Sequence, residues 1–251
     1  MSAITLDGVG KLFGGVVAVA DLSLVVAPRR LTGLIGPNGA GKTTVVNLVT
    51  GIVPASRGRV SVGARDITAA APEAIARLGI ARTFQNIRLL HDASVLDNVM
   101  VGFHRHEETS MAANLLGLRS AWRERARFRA RAMVLLDRFS MMRFAATRAD
   151  SLSYGHQRRV EMMRAVATGP DFLLLDEPVA GMNEVEADEI GAILRALVAD
   201  GIGILLIEHN VGFVTKLCST IYVMNTGRLI AQGSADEVTR DPAVIEAYLG
   251  A

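Results

Sequence analysis

A glycine-rich turn between an apolar strand and a helix constrains this chain more than any other feature. The segment Leu31–Ile35 is a predicted strand, and the sequence GPNGAGKTT follows it over residues 36–44. Its three glycines let the backbone approach an anion closely and aim N–H groups at phosphate oxygens. The predicted helix that follows adds its positive N-terminal end. The pattern therefore predicts a nucleotide phosphate-binding loop in an α/β fold.

The loop also carries the side chains that a nucleotide site needs. Lys42 is one of three lysines in a chain with 24 arginines, and its ammonium group can span the β- and γ-phosphates. Thr43 offers a hydroxyl to Mg²⁺. The residues predicted to bind nucleotide in this loop are Gly36, Pro37, Asn38, Gly39, Ala40, Gly41, Lys42, Thr43 and Thr44.

Apolar runs alternate with helical patterns along the chain, which is typical of an α/β fold with a mostly parallel sheet. Strands are predicted at residues 4–9, 22–26, 31–35, 59–63, 80–84, 172–175 and 202–207, and helices at residues 42–50, 184–199 and 211–217. The strands before the glycine-rich loop are predicted to be antiparallel. No convincing strand occurs between residues 94 and 148, so we expect an α-helical subdomain, residues 94–165, inserted into a single domain, residues 1–251.

Composition narrows the class of protein. The chain has 251 residues, 50% of them apolar, which suffices for one sizeable core. A formal net charge of only +2 does not indicate a nucleic-acid-binding protein. The single cysteine, Cys218, excludes an intrachain disulfide and a cysteine-based zinc site. The N-terminus does not match a secretory signal, and the apolar runs are far shorter than the roughly 18 residues of a membrane-spanning helix.

Two further apolar runs end in ionisable side chains. Residues 172–178 have the sequence FLLLDEP, so a buried strand would deliver Asp176 and Glu177 to its carboxyl end, where α/β folds place their ligands. Asp176 can hold Mg²⁺, and Glu177 can accept a proton from an attacking water. Residues 202–210, IGILLIEHN, repeat the arrangement and place His209 after another strand. The residues predicted to be catalytic are Lys42, Glu177 and His209.

A second candidate anion site lies at residues 152–159, LSYGHQRR, before an amphipathic run. Ser153 is the predicted N-cap of a helix, and Gly155 leaves the backbone open. A helix N-terminus of this kind is suited to bind an anion. One chain has no obvious use for two γ-phosphate sites around one nucleotide, whereas two chains arranged head to tail do. The segment therefore indicates a dimer that encloses nucleotide between its chains.

Two features belong to the predicted insertion or to its boundary. Gln85, within RTFQNIR at residues 82–88, can reach Mg²⁺ from the boundary. A helix is predicted at residues 121–139. Its apolar half carries Trp122, Ala126, Phe128, Ala132, Met133, Leu135, Leu136 and Phe139, and its basic face carries Arg123, Arg127, Arg131 and Arg138. That face is either an ordinary solvated surface or a surface near phospholipid headgroups or a partner protein.

In this order, the motifs resemble those of the ATP-binding subunits of ABC transporters. The glycine-rich loop, Gln85, residues 152–157, the pair Asp176 and Glu177, and His209 correspond to the Walker A, Q-loop, signature, Walker B and H-switch motifs. Phe13 stands where the family stacks an aromatic ring on adenine. The chain is most similar to the ATPase subunit of branched-chain amino acid importers that carries the longer helical insertion.

The stretches that carry this closer resemblance include FGG at residues 13–15, AGMN at residues 180–183 and AYLG at residues 247–250. The resemblance implies a P-loop NTPase that uses ATP and Mg²⁺, with Ser153 and Gly155 facing the γ-phosphate across a dimer. It implies a second ATPase subunit, identical or different, two transmembrane permease subunits and, through them, an extracytoplasmic substrate-binding protein. The expected location is peripheral, on the cytoplasmic face of the inner membrane, and no nucleic-acid partner is expected.

Three residues depart from the family pattern. Tyr154 and His156 replace a glycine and the glutamine of the usual signature LSGGQ, and Asn183 replaces the usual aspartate of the following D-loop. None of the three changes looks inactivating, because the Walker residues and His209 are intact, although Asn183 lies on a loop that runs along the dimer interface in the family.

Several alternatives remain open at this point. ATPase subunits do not contact cargo, so the branched-chain or other hydrophobic amino acids implied by the resemblance compete with amides, urea and lipids. A non-transport ABC ATPase of DNA repair or translation is a second function, although such chains typically carry a second cassette or a long coiled coil. A P-loop kinase or GTPase is a third, but residues 152–157 and His209 would have no role in it.

Overall fold

The computed structural model describes residues 2–84 and 87–249, so the predicted ligand Gln85 lies outside the described residues. The chain divides into two compact units. The core unit comprises Met1–Arg82, Asp171–Pro178 and Ala187–Ala251, and the helical unit comprises Thr83–Pro170 and Val179–Glu186. Within the described parts of both units, no helix is both long and apolar enough to cross a membrane.

The core unit contains the β-strands. They are β1 (Ile4–Phe13), β2 (Val16–Val26), β3 (Leu31–Ile35), β4 (Arg57–Val62), β5 (Arg65–Asp66), β6 (Ile80–Arg82), β7 (Phe172–Asp176), β8 (Gly203–Ile207), β9 (Thr220–Asn225) and β10 (Arg228–Gly233). A four-stranded antiparallel sheet has the order β2-β1-β4-β5, and a six-stranded sheet has the order β10-β9-β3-β8-β7-β6. In the larger sheet only the β9–β10 pair is antiparallel.

The described helices are α1 (Lys42–Val49), α2 (Pro72–Arg77), α3 (Val95–Val101), α4 (Met111–Leu115), α5 (Arg119–Arg138), α6 (Tyr154–Ala167), α7 (Glu184–Ala199), α8 (Val211–Leu217), α9 (Ala235–Arg240) and α10 (Pro242–Leu249). Short 3-10 turns lie at Gly102–His106, Met142–Phe144 and Ala149–Ser151. Helices α3 to α6 lie in the helical unit.

The central parallel strands form where the sequence is predominantly apolar. Every residue of β3, β7 and β8 is buried, as expected for strands covered on both faces. The register pairs Leu34 with Ile207 and Ile207 with Asp176, so the carboxyl ends of these three adjacent strands meet at one edge of the sheet. This edge is where the sequence analysis places the glycine-rich loop, the paired acids and His209.

One apolar core joins the two sheets of the core unit through α1. Its buried side chains include Leu6 and Leu22 of the antiparallel sheet, Val45 of α1, and Leu174 and Leu205 of the parallel sheet. The predicted combination of a mostly parallel sheet, an N-terminal antiparallel β region and an α-helical insertion is therefore confirmed.

Several strands are longer or shorter than predicted. The first two strands extend to residues 4–13 and 16–26, and the strand predicted at residues 80–84 ends at Arg82. The pair β9 and β10 and the terminal helices α9 and α10 were not predicted. Strand β10 is an edge strand without a buried residue, so its sequence carries little apolar periodicity.

The buried side of α5 is narrower than its apolar half predicts. The buried stripe has a spacing of four residues and consists of Glu124, Phe128, Ala132 and Leu136, and the Phe128 ring stacks on Phe103 at 5.4 Å between centroids. Trp122, assigned to the apolar half, has 68% of its surface exposed, and Ala126 is exposed as well. The apolar half predicted from periodicity is therefore wider than the part of α5 that is buried, and the difference lies at its N-terminal end.

Candidate functional site

The glycine-rich loop runs from the end of β3 into α1. Gly41, the residue before α1, has φ 100, and a Cβ there would lie 2.5 Å from the Ala18 carbonyl oxygen of β2, so only glycine fits. Gly39 has φ 79 and nothing within 4 Å of its Cβ position. The loop is thus fixed on one side and open on the other, beside the first N–H groups of α1, which lack helical partners.

Lys42 is held inside the loop. Its ammonium group donates to the carbonyl oxygens of Gly36 at 2.7 Å and Pro37 at 2.9 Å, and only 6% of the residue is exposed. An ammonium has three N–H donors, so one remains for a phosphate oxygen. Burial lowers the pKa of Lys42, and the nearby carboxylates Glu177 and Asp176 partly offset that effect.

Asp176 ends β7 beside the loop. It is 1% exposed, and burial raises its pKa, while a hydrogen bond from the Thr43 side chain and the positive charge of Lys42 act in the opposite direction. A threonine hydroxyl and a carboxylate are hard oxygen ligands, the kind that Mg²⁺ prefers. The pair is therefore chemically suited to a magnesium ion.

Glu177 and His209 lie at the ends of neighbouring strands. Glu177 has φ 51, a left-handed backbone that is uncommon for a residue other than glycine, and its N–H donates to the Ile207 carbonyl at 2.9 Å. The His209 Nδ1 atom lies 3.5 Å from Glu177 Oε1. Residues held in such uncommon backbone conformations cluster at functional sites.

Glu208 is a buried carboxylate that the sequence analysis did not assign. It is 0% exposed, its Oε2 lies 3.9 Å from His209 Nδ1, and its charge raises the pKa of Lys42. Its position directly after β8 was the available signal, because Asp176 occupies the corresponding strand end of β7.

Phe13 lies at the end of β1, before the turn into β2. Its side chain is 46% exposed, and the Lys11 ammonium group lies 4.9 Å from the ring centroid. The same β2 strand that pairs with β1 also contacts Gly41 through Ala18. The structure thus leaves the ring available on the strand pair that borders the loop.

Ser153 and Gly155 belong to the helical unit, at the start of α6. Ser153 is the N-cap, as predicted, and its hydroxyl accepts a hydrogen bond from the His156 N–H; the His156 Nδ1 atom lies 2.9 Å from the same oxygen. A Cβ added at Gly155 would come no closer than 3.6 Å to another atom, Met182 Cγ. The chain's own packing therefore does not require glycine at this position.

A buried ion pair connects α6 to the segment before Gln85, and the sequence analysis missed it. Arg158 and Glu161 are each 2% exposed and lie 3.0 Å apart. Glu161 accepts from the Phe84 N–H at 2.9 Å, Arg158 donates to the Phe84 carbonyl at 2.5 Å, and Arg158 also donates to the Tyr154 hydroxyl at 2.8 Å. The phenol that replaces a signature glycine is thus anchored in this network.

Removing one partner of this pair should strongly destabilise the chain. Glu161→Ala leaves the buried Arg158 guanidinium and the Phe84 N–H without this carboxylate, so the free energy of unfolding should fall by about 3–5 kcal/mol. Chemical denaturation monitored by circular dichroism measures the change. Arg59→Ala, which removes an exposed ion pair with Asp66, is the control and should have a much smaller effect. Equal losses of unfolding free energy in the two variants would show that the buried network contributes no more to stability than an exposed ion pair does.

Asn183 keeps a structural role despite replacing the usual aspartate. Its side chain accepts from the Glu186 N–H at 3.0 Å, and the Glu186 carboxylate accepts from the Asn183 N–H at 3.0 Å. This reciprocal arrangement caps the start of α7, a role for which asparagine and aspartate are equally suited.

Comparison with known proteins agrees with this geometry. Residues 19–180 match the ABC transporter family, and residues 228–251 match the branched-chain amino acid ATP-binding cassette transporter family. The chain belongs to the ABC transporter family. The match confirms the resemblance found in the sequence and, with it, the assignment as an ATP-hydrolysing ABC transporter subunit.

Individual relatives cover the whole chain. It is 38% identical to the high-affinity branched-chain amino acid transport ATP-binding protein LivG of Salmonella typhimurium, over 98% of this chain and 97% of the relative. It is 35% identical to the lipopolysaccharide export system ATP-binding protein LptB of Escherichia coli, over 100% of this chain and 98% of that relative. A crystal structure of an ABC transporter cassette in its ADP conformation superposes with a TM-score of 0.86 at 32% identity, covering 100% of both chains.

Proposed function

We propose that this chain is one of two ATPase subunits of an importer for branched-chain or other hydrophobic amino acids. The observation that carries the proposal is the cluster of Lys42, Asp176, Glu177 and His209 at the ends of adjacent parallel strands. The match at residues 228–251 and the 38% identity to LivG support the choice of substrate.

The glycine-rich loop binds the phosphates of ATP. Its backbone N–H groups and the start of α1 contact phosphate oxygens, and Lys42 contributes a charge-assisted contact to the β- and γ-phosphates. Thr43, Asp176 and Gln85 are the proposed residues for Mg²⁺, which when bound neutralises charge on the phosphates. The hydrogen bond between Thr43 and Asp176 supports the first two.

Glu177 acts as the general base of hydrolysis. Its carboxylate accepts the proton of the attacking water, and His209, 3.5 Å away, holds that carboxylate in position. The buried Glu208 lies behind His209 and contributes negative charge near Lys42. These assignments separate the residues that bind ATP from the one that moves a proton.

The second side of each ATP site comes from the other subunit. The Ser153 hydroxyl and the open backbone at Gly155 contact the γ-phosphate of ATP held by the partner's glycine-rich loop. The packing at Gly155 supports this role, because a Cβ there would make only ordinary contacts and the chain's own packing gives no reason for a glycine. Hydrolysis breaks these contacts and opens the dimer.

The helical region passes this motion to the membrane. We assign residues 94–165 as the inserted subdomain that engages two transmembrane permease subunits, with Gln85 at its boundary. The permeases in turn receive the amino acid from an extracytoplasmic binding protein. The chain is then peripheral, on the cytoplasmic face of the inner membrane.

Adenine stacking on Phe13 is open to a direct test. Phe13→Ala should weaken ATP binding by about 1–2 kcal/mol, within the range for contacts between a base and an aromatic ring. Phe13→Tyr keeps the ring and should bind nearly as well as the parent chain. Fluorescent-nucleotide titration measures both. Parental affinity in both variants would mean that Phe13 only packs on the N-terminal strands.

Cargo can be tested with the purified complex. A tagged chain isolated from solubilised membranes should bring down two permeases, a second ATPase subunit and a binding protein. In proteoliposomes, ATP turnover should rise when that binding protein carries leucine, isoleucine or valine, and stay at its basal rate with urea or an amide. The 35% identity to LptB makes a lipid the specific rival, so stimulation by lipopolysaccharide alone would contradict the amino acid proposal.

A further inference from the structure

The turn between α4 and α5, together with the adjoining ends of the two helices, exposes four large apolar side chains. Leu115 is 87% exposed, Leu116 72%, Leu118 49% and Trp122 68%, and we call these four residues the apolar tip. The backbone of the turn is ordered by hydrogen bonds, from Leu118 N–H to the Ala113 carbonyl at 3.0 Å and from Gly117 N–H to the Asn114 carbonyl at 3.2 Å. The apolar tip is therefore a structured surface feature.

Arginines lie on the helix face that carries the Trp122 indole. Arg119 precedes Trp122 by three residues, and Arg125 and Arg129 follow it by three and seven, spacings that share one face of a helix. All three arginines are exposed, and the part of the chain that the structure describes gives none of them an ion pair. We call them the flanking arginines.

Two other arginines of α5 are engaged by neighbouring groups. Arg127 lies 3.4 Å from Glu124, and Arg131 lies over the Phe103 ring at 4.6 Å. Glu124 belongs to the buried stripe, so the face with Trp122 is purely cationic among its charged residues near the tip. A cationic face next to exposed leucines and an indole is an unusual combination for a solvated surface.

This combination fits one chemistry well. Leucine side chains insert between acyl chains, an indole prefers the boundary between headgroups and hydrocarbon, and arginine binds phosphate bidentately. Protein interfaces are also enriched in tryptophan and arginine, but leucine is under-represented among their energetically important residues, and three of the four residues of the apolar tip are leucines. We propose that the apolar tip and the flanking arginines dock directly on an anionic phospholipid surface. This goes beyond the proposed function, in which the permeases alone bring the chain to the membrane.

Trp122 provides the reporter for the test, because it is the only tryptophan of the 251 residues. The full-length chain is mixed with vesicles of equimolar phosphatidylglycerol and phosphatidylcholine, or of phosphatidylcholine alone. Flotation and a blue shift of the Trp122 emission should occur with the anionic vesicles only, and both should weaken at high salt. Absence of both signals with the anionic vesicles would overturn the proposal.

Variants distinguish docking through this surface from non-specific electrostatic attraction between the chain and the vesicles. Leu115→Asp with Leu116→Asp should reduce binding at least tenfold and abolish the blue shift, and Arg125→Gln with Arg129→Gln should also reduce binding. Val134→Asp, on the same helix and equally exposed at 68%, is the matched apolar control, and Arg228→Gln with Arg240→Gln is the charge control. Both controls should bind like the parent.

Two further outcomes would contradict the proposal. Equal losses in the tip variants and the controls would mean that binding is a general effect of charge. A Trp122 blue shift with polyglutamate, but not with anionic vesicles, would mean that this surface binds an acidic protein segment. Thermal unfolding of each variant checks the fold, which should be unchanged because the altered side chains are exposed.

Discussion

Lys42→Ala should lower the rate of ATP hydrolysis by a factor on the order of 100 to 1,000, the size expected when one preorganised charged donor is removed from a phosphate site. The ammonium group is fixed by two loop carbonyls within 2.9 Å and has a third donor for phosphate. A methyl group supplies neither the charge nor the contact. Phosphate release at saturating ATP measures the effect.

A matched lysine provides the control for this experiment. Lys216 has a side chain that is 70% exposed and lies 3.9 Å from Asp188, so Lys216→Ala should keep the parental rate. Because burial lowers the pKa of Lys42, removing its charge relieves a desolvation cost, and the Lys42→Ala chain should remain folded. Turnover above a tenth of the parental rate in a folded Lys42→Ala chain would contradict the role of this lysine.

Glu177→Gln should separate binding from chemistry. The amide keeps the shape and the contacts near His209 but cannot accept a proton, so hydrolysis should slow by a factor of about 100 to 10,000, the range for loss of a general base. ATP affinity should stay the same or rise, because bound ATP is no longer consumed. Single-turnover hydrolysis and equilibrium nucleotide binding measure the two effects separately.

The control for Glu177 is another carboxylate close in sequence. Glu184→Gln removes an exposed acid at the start of α7 and should leave hydrolysis unchanged. If Glu177→Gln instead lost ATP binding in proportion to its lost turnover, Glu177 would be a ligand of the nucleotide or its metal and not the base. The two assignments are thus distinguishable within one set of measurements.

The predictable part of the site rests on local pattern. Continuous apolar runs identify β7 and β8 as buried parallel strands, and such strands bring their carboxyl ends to one edge. Polar residues at or just after the end of such a run then lie at the ligand edge, which is why Asp176, Glu177 and His209 could be predicted together, whereas Lys42 was predicted from the glycine-rich loop.

Contacts between a side chain and a backbone segment that is distant in sequence could not be predicted in this way. Arg158 and Glu161 bind the backbone of Phe84, which is more than 70 residues away, and nothing in their spacing predicts that partner. Trp122 was assigned to the apolar half of α5 but is exposed, since helical periodicity predicts which residues share a face and does not predict how much of that face is covered.

The central claim is that two chains enclose ATP, with Ser153 and Gly155 completing the partner's site. In the presence of ATP and Mg²⁺, Glu177→Gln should form a stable dimer, because ATP binds from both sides and is not hydrolysed. Adding Ser153→Arg to that variant should keep it monomeric, because a bulky cation blocks only the contact with the partner's nucleotide. Ser234→Arg, which replaces another N-cap serine, is the matched control and should still dimerise.

Size-exclusion chromatography with light scattering measures this directly, with and without ATP, and again with the co-purified second ATPase subunit in case the natural dimer is heteromeric. We predict an ATP-dependent dimer for Glu177→Gln alone and with Ser234→Arg, and a monomer for Glu177→Gln with Ser153→Arg. A Glu177→Gln chain that stays monomeric even with the second subunit, or a Ser153→Arg double variant that dimerises equally well, would contradict the account.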